Sequence, residues 1–129
     1  MKILIVDDEP LILEILQEMY EESFADVTVT KAVDGAQALH LCWQHTFDLI
    51  CTDYHMPALD GLELTQMIRT KIGPNQNTGI VFLSGFIPEF KFKVETIANV
   101  FLLDKPVEMD RLMRISSLAS RTPLRSMLV

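Results

Sequence analysis

Short apolar runs alternate along this chain with segments in which apolar residues recur at helical spacing. The runs predict five strands, at Lys2–Val6, Val27–Lys31, Leu49–Thr52, Ile80–Leu83 and Val100–Leu103. Four of these runs are almost wholly apolar, as in strands that are covered on both faces. In Val27–Lys31, valine alternates with threonine, which is typical of a strand at or near a sheet edge.

The segments that follow the five strands predict five helices. Two of them begin behind capping residues, since Asp34 and Asp60 are each followed three residues later by Gln37 or Glu63. Gly73-Pro74 is expected to close the helix that follows Asp60. The other three predicted helices are Pro10–Ser23, Glu89–Ala98 and Val107–Ala119, of which Glu89–Ala98 has the least regular apolar face.

The strict alternation of strand and helix predicts an α/β fold. Five short strands, each followed by a helix, form a parallel sheet with helices on both faces. Right-handed crossovers make this a doubly wound domain. Such domains bind ligands outside the carboxyl ends of the strands, so the functional residues are expected there.

Composition narrows the classes of protein that this chain can represent. Its 129 residues suit one domain, and 11 basic against 18 acidic residues give a net charge of −7, which disfavours direct binding to nucleic acid. No run approaches the roughly 18 apolar residues of a membrane span, and the first apolar run is too short for a signal peptide. Cys42 and Cys51 lack metal-ligand spacing and are expected to be buried thiols. We therefore expect a soluble cytoplasmic protein.

Polar residues stand where the predicted strands end. Asp7 and Asp8 follow the first strand, Asp53 the third, Ser84 the fourth and Lys105 the fifth. Each alone could be a solvated loop residue, but together they bring three carboxylates, a hydroxyl and an ammonium group to one rim. A hard divalent cation and the ammonium group would balance the three negative charges, and oxygen ligands favour Mg²⁺. Asp53 could then be a nucleophile that accepts a phosphoryl group.

Four motifs together resemble the receiver domain of two-component response regulators, the CheY-like family. They are Ile5-Val6-Asp7-Asp8-Glu9-Pro10, Asp53-x-x-Met56-Pro57-x-x-Asp60-Gly61, Leu83-Ser84-Gly85 and Asp104-Lys105-Pro106. The resemblance covers residues 1–120, which leaves 121–129 as a C-terminal tail or the start of a linker. It implies a flavodoxin-like sheet with the strand order 2-1-3-4-5.

The resemblance also implies roles for the residues at the rim. Asp53 would accept a phosphoryl group from a sensor histidine kinase or a histidine phosphotransfer protein. Ser84 and Lys105 would bind that group, and the Lys105–Pro106 bond would be cis. The implied Mg²⁺ ligands are Asp7, Asp8, Asp53 and the backbone carbonyl of His55.

Three places depart from the usual family pattern. Leu102 stands where the family usually has a tyrosine or phenylalanine that turns inward on activation, so any output must use another element or a one-residue shift to Phe101. Ala98-Asn99-Val100 replaces the usual Ala-Gly-Ala. His55 and Phe86 flank the expected path of water to the phosphoryl group and could shield it, or His55 could orient the water. The sequence also contains an aromatic-basic stretch, which could bind a partner or pack in the core. It comprises Phe86, Phe90, Lys91, Phe92 and Lys93.

Other functions remain open at this point. A receiver fold could act as an interaction module without phosphorylation, and Leu102 favours that alternative. A phosphatase of the haloacid dehalogenase type is disfavoured, because it needs a second aspartate where this chain has His55. A flavin site is also disfavoured, because the loop after the first strand is acidic and does not resemble a phosphate-binding loop. The downstream effector and homodimerisation on phosphorylation stay open. We expect self-phosphotransfer and autodephosphorylation, and no catalysis on an external metabolite.

Overall fold

A five-stranded sheet lies at the centre of the protein, whose computed structural model describes residues 1–85 and 96–128. All neighbouring strands are parallel, and their order is β2-β1-β3-β4-β5. The strands are β1 (Lys2–Val6), β2 (Thr28–Ala32), β3 (Leu49–Asp53), β4 (Gly79–Ser84) and β5 (Val100–Asp104). The predicted fold class, strand order and edge position of the second strand are confirmed.

Helices follow four of the strands within the described residues. They are α1 (Pro10–Ser23), α2 (Gly35–Gln44), α3 (Gly61–Thr70) and α4 (Met109–Ser120), with a short 3-10 helix at Arg125–Met127. None of these helices has the length and apolar character that a bilayer crossing requires. Most of the predicted helix Glu89–Ala98 falls at 89–95, outside the described residues. Its last part is wrong, because residues 96–99 form a turn.

The sheet separates two apolar layers. Because successive side chains of a strand point to opposite faces, Ile3 and Ile5 of β1 face α1 and α4, whereas Leu4 and Val6 face α2 and α3. Cys51 lies in the first layer. Both cysteines of the chain are buried free thiols, as the sequence predicts. The sheet is therefore covered by apolar side chains on both faces, beneath the rim that carries the polar residues.

The start of α3 is fixed by a reciprocal cap. The Asp60 carboxylate accepts a hydrogen bond from the backbone N–H of Glu63 at 2.8 Å, and the Glu63 carboxylate accepts one from the N–H of Asp60 at 3.3 Å. Two N–H groups that a helix leaves without partners are thereby satisfied. The predicted cap is confirmed, and it holds the loop that leaves Asp53.

Replacing Asp60 with alanine should lower the free energy of unfolding by about 1 kcal/mol, because the first turn of α3 loses its cap. Urea unfolding followed by circular dichroism measures the change. The control is Glu14→Ala, an exposed position in the middle of α1, which should stay within about 0.5 kcal/mol of the parent. Equal stabilities of Asp60→Ala and the parent would contradict the stabilising role of the cap.

The loop between α3 and β4 is anchored by two polar side chains. Asn75 is fully buried, donates to the carbonyls of Cys42 and His45, and accepts from the N–H of Phe47 at 2.7 Å. Arg69 donates to several backbone carbonyls at the starts of β4 and β5, namely those of Asn75, Gln76, Thr78, Ala98 and Asn99. These bonds join the loop to the end of α2, and join α3 to the segments that precede β4 and β5.

The chain after α4 turns back onto the domain. Arg121 adopts a left-handed conformation with φ of 55°, and the Ser117 hydroxyl donates to the carbonyl of Thr122 at 2.6 Å. Leu124 is then buried in the layer beneath α1 and α4. The boundary predicted at residue 120 stays a prediction, and the structure places Leu124 against the domain core.

Candidate functional site

The predicted site residues stand at the carboxyl ends of the strands. Asp7 directly follows β1, Asp53 ends β3, Ser84 ends β4 and Lys105 directly follows β5. Leu83, next to Ser84, is the register partner of Asp53. The backbone N–H of Lys105 donates to the carbonyl of Ser84 at 2.8 Å. Parallel pairing therefore brings four distant segments to one rim.

Three carboxylates meet at this rim. One carboxylate oxygen from each of Asp7, Asp8 and Asp53 lies within 4.8 Å of the others. Asp7 and Asp53 are buried, whereas Asp8 is exposed. Two largely desolvated carboxylates beside a third, solvated one create a strongly negative site that is open on one side.

Lys105 supplies a positive charge to this cluster. Its Nζ atom lies 3.0 Å from Oδ1 of Asp53, and about two fifths of the lysine side chain is exposed. The same Oδ1 atom is buried and accepts no hydrogen bond within the described residues. Ion pairing with Lys105 therefore satisfies the charge of Asp53 without a hydrogen bond, and leaves lone pairs for another electrophilic partner.

Asp7 has a raised pKa within this site. Burial raises the pKa of Asp7 to about 6, and the neighbouring charges of Asp53 and Asp8 act in the same direction. The N–H of Glu9, which donates to Oδ1 of Asp7 at 2.9 Å, and the charge of Lys105 oppose that rise. A buried carboxylate in this position is stabilised by any cation that enters the cluster.

The donor set fits a magnesium ion. The cluster offers only oxygen atoms, its open side admits water ligands, and the buried Oδ1 of Asp53 lacks a hydrogen bond within the described residues. Hard oxygen ligands with room for several waters are the environment that Mg²⁺ prefers. The backbone carbonyl of His55, the fourth predicted ligand, belongs to the loop that directly leaves Asp53.

A glycine lets this loop return close to Asp53. A Cβ atom at Gly61 would lie 2.6 Å from the ring of Phe82 and 2.9 Å from the backbone oxygen of Asp53. The N–H of Gly61 donates to the carbonyl of Tyr54 at 3.0 Å. Only a residue without a side chain permits this approach, so Gly61 fixes the path of the loop that follows Asp53.

Tyr54 is a site residue that the sequence analysis missed. Its half-buried ring packs edge-on against the buried Phe82, with centroids 6.2 Å apart, and against His55, with centroids 5.0 Å apart. The imidazole of His55 is thus supported from the core. The sequence shows an aromatic residue directly after Asp53. The spacing of residues along the chain does not predict which rings of the loop and the strand come into contact.

The departure at Leu102 has a structural consequence. Leu102 packs in the layer beneath α2 and α3, whereas Phe101 packs in the opposite layer beneath α1 and α4. A shift of one residue in a strand moves a side chain to the other face of the sheet. Phe101 therefore cannot replace an aromatic ring at position 102 without changing layers.

Two further expectations concern neighbouring positions. The Lys105–Pro106 bond is cis, which confirms the expectation taken from the resemblance. Asn99, in the segment that departs from the usual pattern, has φ of 59°, a left-handed conformation that asparagine tolerates better than most residues. Phe86 and the aromatic-basic stretch at 86–93 lie outside the described residues.

Comparison with known proteins agrees with this geometry. The model of the response regulator receiver domain family matches residues 3–116. Sensor histidine kinase AruS of Pseudomonas aeruginosa is 35% identical over 116 residues, which cover 88% of this chain and 11% of that protein. The chain spans less than half the length of the first curated relatives that it matches.

Solved receiver domains share the fold. The receiver domain of the Francisella response regulator 1452 superposes with a TM-score of 0.77 at 30% identity, covering 93% of this chain and 96% of that one. The receiver domain of sensor histidine kinase PA1611 of Pseudomonas aeruginosa, whose active-site cleft coordinates a magnesium ion, gives a TM-score of 0.80 at 25% identity, with 94% and 98% coverage. The chain thus belongs to the response regulator receiver domain family, the phosphoacceptor modules of two-component signal transduction.

Proposed function

We propose that Asp53 is the residue of this receiver domain that accepts the phosphoryl group. The observation that carries the proposal is the ion pair between Lys105 and a buried carboxylate within the cluster of Asp7, Asp8 and Asp53. The donor would be a phosphohistidine of a sensor histidine kinase or a phosphotransfer protein. The proposed magnesium ligands are Asp7, Asp8, Asp53 and the backbone carbonyl of His55.

The transfer is a displacement at phosphorus. An oxygen of Asp53 forms the new P–O bond while the P–N bond to the donor imidazole breaks and its electron pair stays on the imidazole nitrogen. Lys105, already 3.0 Å from the attacking carboxylate, moves its charge to a phosphoryl oxygen, and the Ser84 hydroxyl donates a hydrogen bond to another. A bound Mg²⁺ would supply further neutralisation of the phosphoryl oxygens. The magnesium ion in the PA1611 receiver supports this assignment.

An apolar cavity beside the site supports the proposed partner. It has a volume of about 250 Å³, borders Asp7 and Lys105, and is lined mainly by apolar side chains of α1 and of the segment after β5. A donor protein that inserts an apolar side chain there would bring its phosphohistidine next to Asp53.

We further propose a receiver domain at residues 1–120 followed by a tail or linker, a cytoplasmic location, and no catalysis beyond self-phosphotransfer and autodephosphorylation. We also propose that phosphorylation switches the binding of a downstream effector and allows homodimerisation.

Labelling by a small acyl phosphate tests the function directly. Incubation with acetyl phosphate and MgCl₂ should add one phosphoryl group, detected by intact mass, and a chelator should suppress the addition because the phosphoryl oxygens then lack a cation. Borohydride reduction of the labelled protein should mark Asp53. A protein that stays unlabelled with magnesium present would contradict the proposal and favour the phosphorylation-independent interaction module.

Replacing His55 with alanine tests whether its ring shields the acyl phosphate. The ring is exposed and packed against Tyr54, so its removal should open a path for water and speed loss of the label several-fold. The measurement is the decay of phosphoprotein after removal of the donor. The matched control is His40→Ala on α2, another exposed histidine, which should leave the decay unchanged. An unchanged or slower decay in His55→Ala would contradict shielding.

A further inference from the structure

A second exposed surface lies away from the phosphoacceptor rim, where α2 faces the end of α3. We define the α2–α3 patch as Trp43 of α2 with Lys71 and Ile72 after α3, together with the exposed His40 and Met67, which precede Trp43 and Lys71 by three and four residues. Trp43 is half-buried, and Nζ of Lys71 lies 5.9 Å from the centre of its ring. Ile72, the next residue, is 94% exposed. Ile72 lies between Lys71 and Gly73, both of which approach the Trp43 ring, so the exposed isoleucine and the exposed part of the indole form neighbouring apolar surface.

The patch is held in one conformation. A Cβ atom at Gly73 would lie 3.0 Å from the ring of Trp43, so the backbone after Ile72 rests directly on the indole. Asn75 then ties the same loop to the end of α2 through its bonds to Cys42 and His45. Ile72 is therefore presented by a fixed loop, and a partner that binds it would lose little conformational freedom of this chain.

The two stretches of sequence that carry the patch differ in charge from the rest of the chain. The sequence has 18 acidic residues and a net charge of −7, yet no Asp or Glu occurs in 35–47 or in 64–88. These two stretches include every residue of the α2–α3 patch. Lys71 is exposed there without an acidic neighbour in sequence, whereas α1 alone carries Glu14, Glu18, Glu21 and Glu22. The glutamates of α1 repel an acidic partner, whereas the patch offers it Lys71 and no carboxylate of its own.

We propose that the α2–α3 patch is a docking surface for an acidic amphipathic helix of a partner protein. Apolar side chains of such a helix cover Ile72 and the exposed part of Trp43, and its carboxylates pair with Lys71. Tryptophan and methionine are enriched in the centres of protein interfaces, and an amphipathic helix presents its apolar side chains on one face with its charged side chains at the edges of that face. The surface is separate from the phosphoacceptor rim, so docking does not require phosphorylation.

The single tryptophan of the chain makes the surface observable. A synthetic helical peptide with leucines on one face and glutamates on its flanks, added to the metal-free protein, should shift the fluorescence of Trp43 to shorter wavelength and saturate. The Ile72→Ser change should weaken binding of this peptide at least roughly tenfold, the effect of losing one central contact. Lys71→Glu should abolish it, and added salt should weaken it.

Matched controls separate docking from general stickiness. Leu118→Ser removes an apolar side chain that is 69% exposed on α4 and should leave peptide binding unchanged. A charge-reversed peptide, with lysine for every glutamate, should not shift Trp43 fluorescence. The proposal is overturned by an absent shift, by equal binding of both peptides, by unchanged affinity in Ile72→Ser, or by a shift with anionic lipid vesicles instead. All these measurements use unphosphorylated protein, so they do not depend on the role of Asp53.

Discussion

Changing Asp53 to asparagine should reduce labelling by acetyl phosphate to background. The substitution keeps the shape of a side chain that ends β3 and lies almost fully buried, but it removes the carboxylate oxygen that we propose as the nucleophile. The amide also loses the ion pair with Lys105. Because no neighbouring group can form the same P–O bond in the same position, the loss should be on the order of a thousandfold or more, the scale seen when an enzyme loses its nucleophile.

The control for this experiment lies on the same rim. Asp104 ends β5 next to Lys105, but it is exposed and not among the three clustered carboxylates. Asp104→Asn should therefore be labelled at the rate of the parent. Thermal unfolding checks that both variants are folded. Persistent labelling of Asp53→Asn at a rate near that of the parent would refute the assignment of Asp53.

The fold could be predicted because its strands and helices have distinct periods. β3 and β4 are buried along their whole length, so their sequences are continuous apolar runs. The first residue of α4 was predicted less well. The apolar pattern placed it at Val107, whereas the helix begins at Met109. Val107 still packs in the core with Leu112, as an apolar residue just before a helix often does. Apolar periodicity cannot distinguish such a residue from the first turn of the helix.

The candidate site could be predicted only in part. Topology alone brings the carboxyl ends of parallel strands together, so the meeting of Asp7, Asp53 and Lys105 followed from the element order. The contact of Tyr54 with His55 and the exposure of Ile72 depend on how loops pack against the sheet and α2. Loop conformations are set by long-range hydrogen bonds such as those of Asn75, which local sequence patterns do not report.

Replacing Asp7 with asparagine should stabilise the metal-free protein at neutral pH. In the folded chain, burial raises the pKa of Asp7 from its ordinary value of 3.8 to about 6. Between these two values the folded state binds a proton that the unfolded state has released, so the stability of the parent falls as pH rises through this window and stays low above it. A difference of about two pKa units corresponds to at most roughly 3 kcal/mol, so we expect a gain of about 1–3 kcal/mol in the variant.

The same change should remove the response to magnesium. An ion that binds only the folded state raises the melting temperature of the parent, whereas Asp7→Asn lacks one of the clustered carboxylates and should gain little. Urea unfolding in chelator at several pH values, repeated with MgCl₂, measures both effects. Asp8→Asn is the matched control, because its exposed carboxylate should also be needed for magnesium while contributing less repulsion to the metal-free fold. If Asp7→Asn is less stable than the parent in chelator, or equally stabilised by magnesium, then the buried carboxylate serves the fold and not a cation.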